Sequence, residues 1–251
     1  MRFENKVAIV TGAGRNVGEQ IAIDLASEGA SVALIDTNLE RLQQVVEKIE
    51  KIRPDSVLPA ICDVSSSTDV QKMVGEVVEK FRAVHLLVNN VAVTDRKTVL
   101  ELDEDEWERV ISASLKGPFL CTKYAAKQML SQGGGGAIVN LGSTSGMLAR
   151  GDATAYPTAK AGVLHFTRTV ALQLGSYGIR VNSVSPNKVG SPVGMDEEPP
   201  GRPRKNVMGR GAVPKDISKA VLFLLDEDES PFITGIDLLV DGGAVVSLTA
   251  D

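Results

Sequence analysis

The chain alternates short, continuously apolar runs with longer amphipathic stretches, and that alternation leaves few folds open. Val7-Ala-Ile-Val-Thr11 reads as a buried strand, followed by a helix over about residues 17–28. Residues 31–35, ending at Asp36, form a second strand, with a helix over 39–52 behind it. A strand at 57–62, a helix at 66–81 and a strand at 85–89 keep the rhythm. Asp103 and Glu106 have the spacing of a capping box and predict one long helix running toward Leu130. A strand at 137–141, a helix at 155–174, a strand at 179–185, a helix from Pro214 to about Leu225 and a strand at 236–240 complete the series. Strands apolar on both faces must be covered on both, so the expected architecture is a parallel sheet with helices on each side. No repeat or linker interrupts the pattern, and one domain spanning residues 1–251 is expected. The segment 187–209 differs, carrying Pro192, Gly194, Pro199, Pro200 and Gly201. It falls at the carboxyl edge of the sheet, where ligands bind in open α/β folds, and reads either as a substrate lid or as an irregular surface loop.

Composition narrows the partners. A hydrophobic fraction of 43% in 251 residues suffices for a full core and excludes disorder of the whole chain. A net charge of -5 argues against nucleic acid, because phosphate neutralisation needs a basic face. Cys62 and Cys121 are isolated, and His85 and His165 sit in apolar contexts without forming a ligand pair. Neither a metal site nor a disulfide framework is therefore expected. The opening Met1-Arg-Phe-Glu-Asn-Lys runs into the first strand without an apolar signal core, and no apolar run is long enough to cross a membrane. A cytoplasmic protein is the expectation.

Two stretches carry chemistry. Thr11-Gly12-Ala-Gly14-Arg15-Asn16-Val17-Gly18 lies between the first strand and the first helix. Glycines there let the backbone approach a pyrophosphate, which meets the positive end of the helix. Any tight strand-to-helix turn favours glycine, so it is the position after a buried strand that gives the motif weight. Asp36, 18 residues past Gly18, is the acid expected at the adenosine ribose hydroxyls. Its carboxylate would repel a 2′-phosphate, favouring NAD over NADP, while Arg15 is the opposing signal. The second stretch holds Tyr156 and Lys160, one turn apart if the segment is helical. An ammonium beside a phenol stabilises the phenolate; lowering a phenol pKa from about 10 to about 7 takes roughly 4 kcal/mol. Ser143, 13 residues upstream, offers a hydroxyl to hold a substrate oxygen against that phenol. The set is an acid/base device for an alcohol proton, and a surface Tyr–Lys pair at helical spacing is the alternative.

Taken together, Thr11-Gly12…Gly18, Asp63-Val64, Asn89-Asn90, Ser143, Tyr156…Lys160, Arg180-Val-Asn182, Pro186 and Asp241-Gly-Gly243 resemble the short-chain dehydrogenase/reductase family over nearly the whole chain. The resemblance implies a single doubly wound Rossmann-type domain with a seven-stranded parallel sheet. It implies an NAD-dependent enzyme interconverting a secondary alcohol and a ketone. Tyr156 would be the general acid/base, Ser143 would bind the substrate oxygen, and Lys160 would hold the nicotinamide ribose. Asp63 and Val64 would face the adenine, Asn90 would line the cleft, and Val189 and Ser191 would meet the carboxamide. A homotetramer is also implied, with local support from apolar residues on more than one face of the helices near 107–130 and 155–174. Val110, Phe119, Leu120, Tyr124, Met129, Val163, Phe166 and Val170 are among them.

Four departures from the family pattern stand out. Asn16 replaces the middle glycine of the first turn, Val91-Ala92 replaces Ala-Gly, and Asn187 replaces the glycine after Pro186. Ser114 stands where an asparagine ordinarily supports a water relay to the lysine. Its hydroxyl either holds that water or simply packs in its helix. A rival activity is a 3-oxoacyl thioester reductase, with Arg202, Arg204 and Lys205 meeting an acidic carrier protein, although Asp196, Glu197 and Glu198 dilute that charge. A rival of another class is a dinucleotide-sensing protein without turnover. The substrate pocket would be built by the lid and by residues 94–98.

Overall fold

The structure, a computed structural model, describes residues 1–190, 193 and 206–247. Its strands are β1 (Val7–Thr11), β2 (Ser31–Asp36), β3 (Val57–Ile61), β4 (Leu86–Asn89), β5 (Gly136–Leu141), β6 (Ile179–Pro186) and β7 (Asp237–Val240). Its helices are α1 (Asn16–Ser27), α2 (Leu39–Glu50), α3 (Ser67–Phe81), α4 (Glu104–Ile111), α5 (Gly117–Gln132), α6 (Ala155–Leu174) and α7 (Pro214–Leu225). The seven strands make one parallel sheet in the order β3-β2-β1-β4-β5-β6-β7.

Strand residues alternate between two apolar layers, as a period of two requires. Ala8, Val10, Leu34, Val88 and Val139 face α1, α2 and α7, where Ile21, Leu25, Leu42, Ile217 and Val221 meet them. Ile9, Ile35, Leu87 and Ile138 face the other way, against Val70 and Met73 of α3, Leu120 and Met129 of α5 and Val170 of α6. Each of the buried Val, Leu, Ile and Met side chains contributes about 1.5–3 kcal/mol, so both faces of the sheet are locked. The chain builds outward from β1 through β2 to β3, then crosses back to place β4 on the other side of β1. That reversal opens a crevice at the carboxyl ends of β1 and β4.

One expected element is broken. The long helix stops at Ile111, and Ser112–Lys116 forms a single wider π turn before α5 begins. Pro118 supplies the physical reason: it has no N–H for the Ser114 carbonyl four residues back, and its ring crowds that carbonyl. The capping box is half made. Asp103 Oδ1 accepts the Glu106 N–H at 2.8 Å, but the Glu106 carboxylate pairs with Lys97 Nζ at 2.7 Å instead of returning to the cap.

Most of the 187–209 segment, including Ser191, Arg202, Arg204 and Lys205, lies outside the described residues. Its base is seen in a bridge between Val189 and Ala212 and a bond from the Gly190 N–H to the Ala212 carbonyl at 3.2 Å. Among the described residues no helix is long and apolar enough to cross a membrane. None of their His, Cys, Asp and Glu side chains group in threes to hold a metal ion.

Candidate active site

The turn from β1 into α1 presents backbone without side chains in the way. Gly12 takes φ +64°, and a Cβ on Gly18 would collide with the Gly12 carbonyl. Asn16 is left-handed too, at φ +53°, a conformation asparagine accepts better than most residues. Arg15, just before α1, does not cap the helix with its own side chain. Val17 packs onto the core beneath the turn. Asn90, immediately after β4, clamps the turn from below. Its amide donates to the Thr11 and Gly12 carbonyls at 3.0 and 3.1 Å, and its N–H donates to Thr11 Oγ1 at 2.9 Å. Val91 closes in from the same side, its Cγ2 standing 3.3 Å from where a Gly12 Cβ would be.

Asp36 is pinned at the end of β2. One carboxylate oxygen accepts the Gly14 N–H at 3.2 Å and the other the Asn38 N–H at 3.1 Å. Each oxygen retains a lone pair for a further donor. Arg41 of α2, which sequence reasoning missed, packs against the same spot, its Cβ 2.9 Å from the position a Gly14 Cβ would take. Past β3, the exposed Asp63 accepts the Ser65 N–H and hydroxyl at 2.9 and 2.7 Å, while Val64 is buried against Gly117. Across the crevice Val189 sits at the base of the loop after β6, and Gly190 beside it approaches Asn16. A turn free of side chains leading into a helix N-terminus, with a fixed carboxylate at the next strand end, fits a dinucleotide.

Tyr156 and Lys160 share one face of α6 and are 7% and 2% exposed. Lys160 Nζ lies 5.8 Å from the Tyr156 ring centroid and donates to the Leu141 carbonyl, at the end of β5, at 2.6 Å. Ser143 follows two residues on. Its hydroxyl accepts the Ser145 N–H at 3.1 Å, opening a short 3₁₀ turn, and favours ionisation of the phenol. The electrostatics correct one expectation. Burial pushes the Tyr156 phenol up rather than down, against the smaller opposing effects of Ser143 and the charge of Arg150. Lys160 directs its ammonium at Leu141, and its own burial brings it down from 10.5 to about 8. Both groups are thus biased toward their neutral forms.

Ser114 is fully buried in the π turn. Its hydroxyl donates to the Val93 carbonyl and accepts the Val93 N–H, both at 3.0 Å. A hydroxyl has one proton, and Val93 takes it, so in this arrangement Ser114 ties down a loop rather than donating toward Lys160. The same loop holds a residue that no local signal announces. Asp95, 1% exposed, sends its carboxylate to three backbone N–H groups at the start of α6. Around it a third apolar cluster joins Val110, Ala155 and Tyr156 to Ala92, Val93, Leu102 and Trp107.

Comparison with known proteins agrees with this arrangement. A profile of the family described as enoyl-(acyl carrier protein) reductase matches residues 12–245. The meso-2,3-butanediol dehydrogenase of Serratia marcescens is 37% identical over 250 residues, covering 98% of this chain and 97% of its own. A 3-oxoacyl-(acyl-carrier-protein) reductase of Thermotoga maritima is 34% identical over 251 residues, covering 98% of this chain and all of its own. The crystal structure of levodione reductase superposes with a TM-score of 0.90 at 30% identity, covering 98% of this chain and 99% of that one.

Proposed function

The chain belongs to the short-chain dehydrogenase/reductase family, and on that premise we propose that it transfers hydride between NAD and a secondary alcohol or ketone. The observation that carries the reading is the buried Ser143, Tyr156 and Lys160 set, standing beside a crevice that fits a dinucleotide. Gly12, Arg15, Asn16, Val17 and Gly18 would hold the pyrophosphate, and Asp36 the adenosine ribose. Asp63 and Val64 would flank the adenine, Asn90 would line the cleft, and Val189 and Ser191 would meet the carboxamide. Lys160 and Tyr156 would reach the second ribose. The nicotinamide, when bound, supplies the hydride acceptor or donor.

The chain's own residues do the rest. Ser143 holds the substrate oxygen. Tyr156 gives its proton to a ketone oxygen, or takes one from an alcohol, and Lys160 offsets charge as the phenolate forms. Because burial raises the phenol pKa, the neutral acid that reduction needs persists through the physiological range. Alcohol oxidation needs the phenolate, so its rate should climb with pH on the alkaline side.

The pinned Asp36 carboxylate supports NAD; Arg41 and Arg15 are the cations that oppose it. A second reading, reduction of 3-oxoacyl thioesters, is supported by the matched profile and the Thermotoga maritima relative. The test follows reduced-nicotinamide absorbance with a secondary alcohol, a diol and a 3-oxoacyl thioester, each with NAD and NADP. NAD should win by more than about tenfold in kcat/KM, and Asp36→Ala should shrink that margin, since losing one charged hydrogen bond is worth about 1.5–3 kcal/mol. Dinucleotide binding without turnover of any substrate would favour a sensor and contradict the proposal. We also assign the chain to a homotetramer and to the cytoplasm, the first supported by the half-exposed Phe119 that meets Phe166 of α6 edge-on at 6.5 Å.

A further inference from the structure

The loop between β4 and α4 forms a strap over the start of the helix that carries Tyr156. At one end Val93 is held on both polar backbone atoms by Ser114. Further along, Asp95 Oδ2 accepts the N–H groups of Thr154 and Ala155 at 2.6 and 3.1 Å, and Oδ1 accepts the Tyr156 N–H at 2.8 Å. The Thr154 hydroxyl returns a bond to the Lys97 carbonyl at 3.0 Å. A helix leaves its first N–H groups without internal partners, and Thr154 provides no side-chain cap of its own. One buried carboxylate from a distant loop therefore meets that need. Its bonds to Thr154, Tyr156 and Ala155 overcome burial and keep it charged.

We infer that Asp95 is a positioning residue. It sets the height and rotation of the first turn of α6, and through the Tyr156 backbone the reach of the phenol to Ser143 and the substrate oxygen. The inference rests on the acid/base role proposed for Tyr156. Displacement of a reacting group by about 1 Å can cost on the order of 10²-fold in rate, so a cap that fixes this backbone acts on turnover as well as on stability.

Three variants separate the two effects. Asp95→Glu keeps both acceptor oxygens but lengthens the strap by one methylene. Asp95→Asn keeps the size but leaves one acceptor oxygen and turns an amide toward a helix N–H. Thr154→Val, the mildest, cuts only the Thr154–Lys97 bond. Each is compared with wild type in kcat, substrate KM, dinucleotide Kd, thermal melting and the emission of Trp107. This is the only tryptophan in the chain, and it packs in the same small cluster as Tyr156. We expect kcat to fall about tenfold or more in Asp95→Glu and Asp95→Asn, and about twofold in Thr154→Val. Substrate KM and dinucleotide Kd should stay within about threefold, and Trp107 emission should shift in both Asp95 variants. Wild-type kcat and emission in variants that merely melt lower would reduce Asp95 to a stabilising cap and overturn the inference. If the Asp95 variants do not fold, unchanged kcat in Thr154→Val overturns it and a selective loss of kcat supports it. Asp95 variants with wild-type kcat beside a dead Tyr156→Phe would sink the positioning role alone, whereas an active Tyr156→Phe would sink the acid/base reading beneath it.

Discussion

Burial acts on Tyr156 and Lys160 in one sense, disfavouring the charged form of each. For Lys160 the consequence can be worked out with its sign. The folded protein titrates this group near 8, against 10.5 for an ordinary lysine, so between those values the folded state binds fewer protons. Stability therefore rises with pH across that window, and below about pH 8 the buried ammonium is a burden of about 3 kcal/mol. The bond to the Leu141 carbonyl, a hydrogen bond to a charged group, offsets about 1.5–3 kcal/mol of it. Lys160→Met should then raise the melting temperature at pH 7 by about 2 °C while abolishing turnover. The gain should fade as pH rises past 8. Calorimetry of the variant at pH 7 checks this, and a lower melting point than wild type would show that the hydrogen bond outweighs the burial. The pair itself was visible in the sequence as a one-turn spacing. What the spacing could not show is where the ammonium points, because the Leu141 carbonyl reaches it from a strand 19 residues earlier.

At the scale of elements, the π turn between α4 and α5 decides how Ser114 is used. Ser114→Ala would leave the half-buried Val93 N–H and carbonyl without their partner, costing about 1–3 kcal/mol, and would loosen the strap that Asp95 extends. It should lower both melting temperature and kcat. Ser114→Asn carries a donor and an acceptor and should restore both. Paired melting curves and kcat for the two variants test this, and a silent Ser114→Ala would mean that Val93 finds other partners. The break in the long helix was half legible: Pro118 stands in plain view, but the apolar periodicity runs through it and Asp103 marks only a start. Asp95 was not legible at all, since a carboxylate 59 to 61 residues away from the N–H groups it meets leaves no spacing signal. The glycine turn and Asp36 were readable because their ligand-facing geometry is local to one strand, one turn and the next strand.

Over the whole molecule, seven apolar runs separated by helices specify a parallel sheet covered on both sides, and both layers are seen. The strand order is different in kind. That β4 returns to pair with β1 depends on non-local contacts, and it entered through the family resemblance rather than through any local pattern. The tetramer expectation belongs to this scale. Of the residues that suggested it, Val110, Leu120, Met129, Val163 and Val170 are buried within the chain itself and Tyr124 and Phe166 are partly buried against its core, leaving Phe119 of α5 as the exposed one. Light scattering at micromolar concentration should return four times the chain mass, and Phe119→Glu should reduce it; a monomer mass for the wild type would remove the assembly. The proposed catalysis itself rests on the buried phenol of Tyr156 as the group that moves the substrate proton. Turnover and dinucleotide affinity of Tyr156→Phe measure it directly. Turnover should fall by at least about 10²–10⁴-fold in kcat, with dinucleotide Kd within about threefold of wild type. Turnover by Tyr156→Phe within about tenfold of wild type would contradict it.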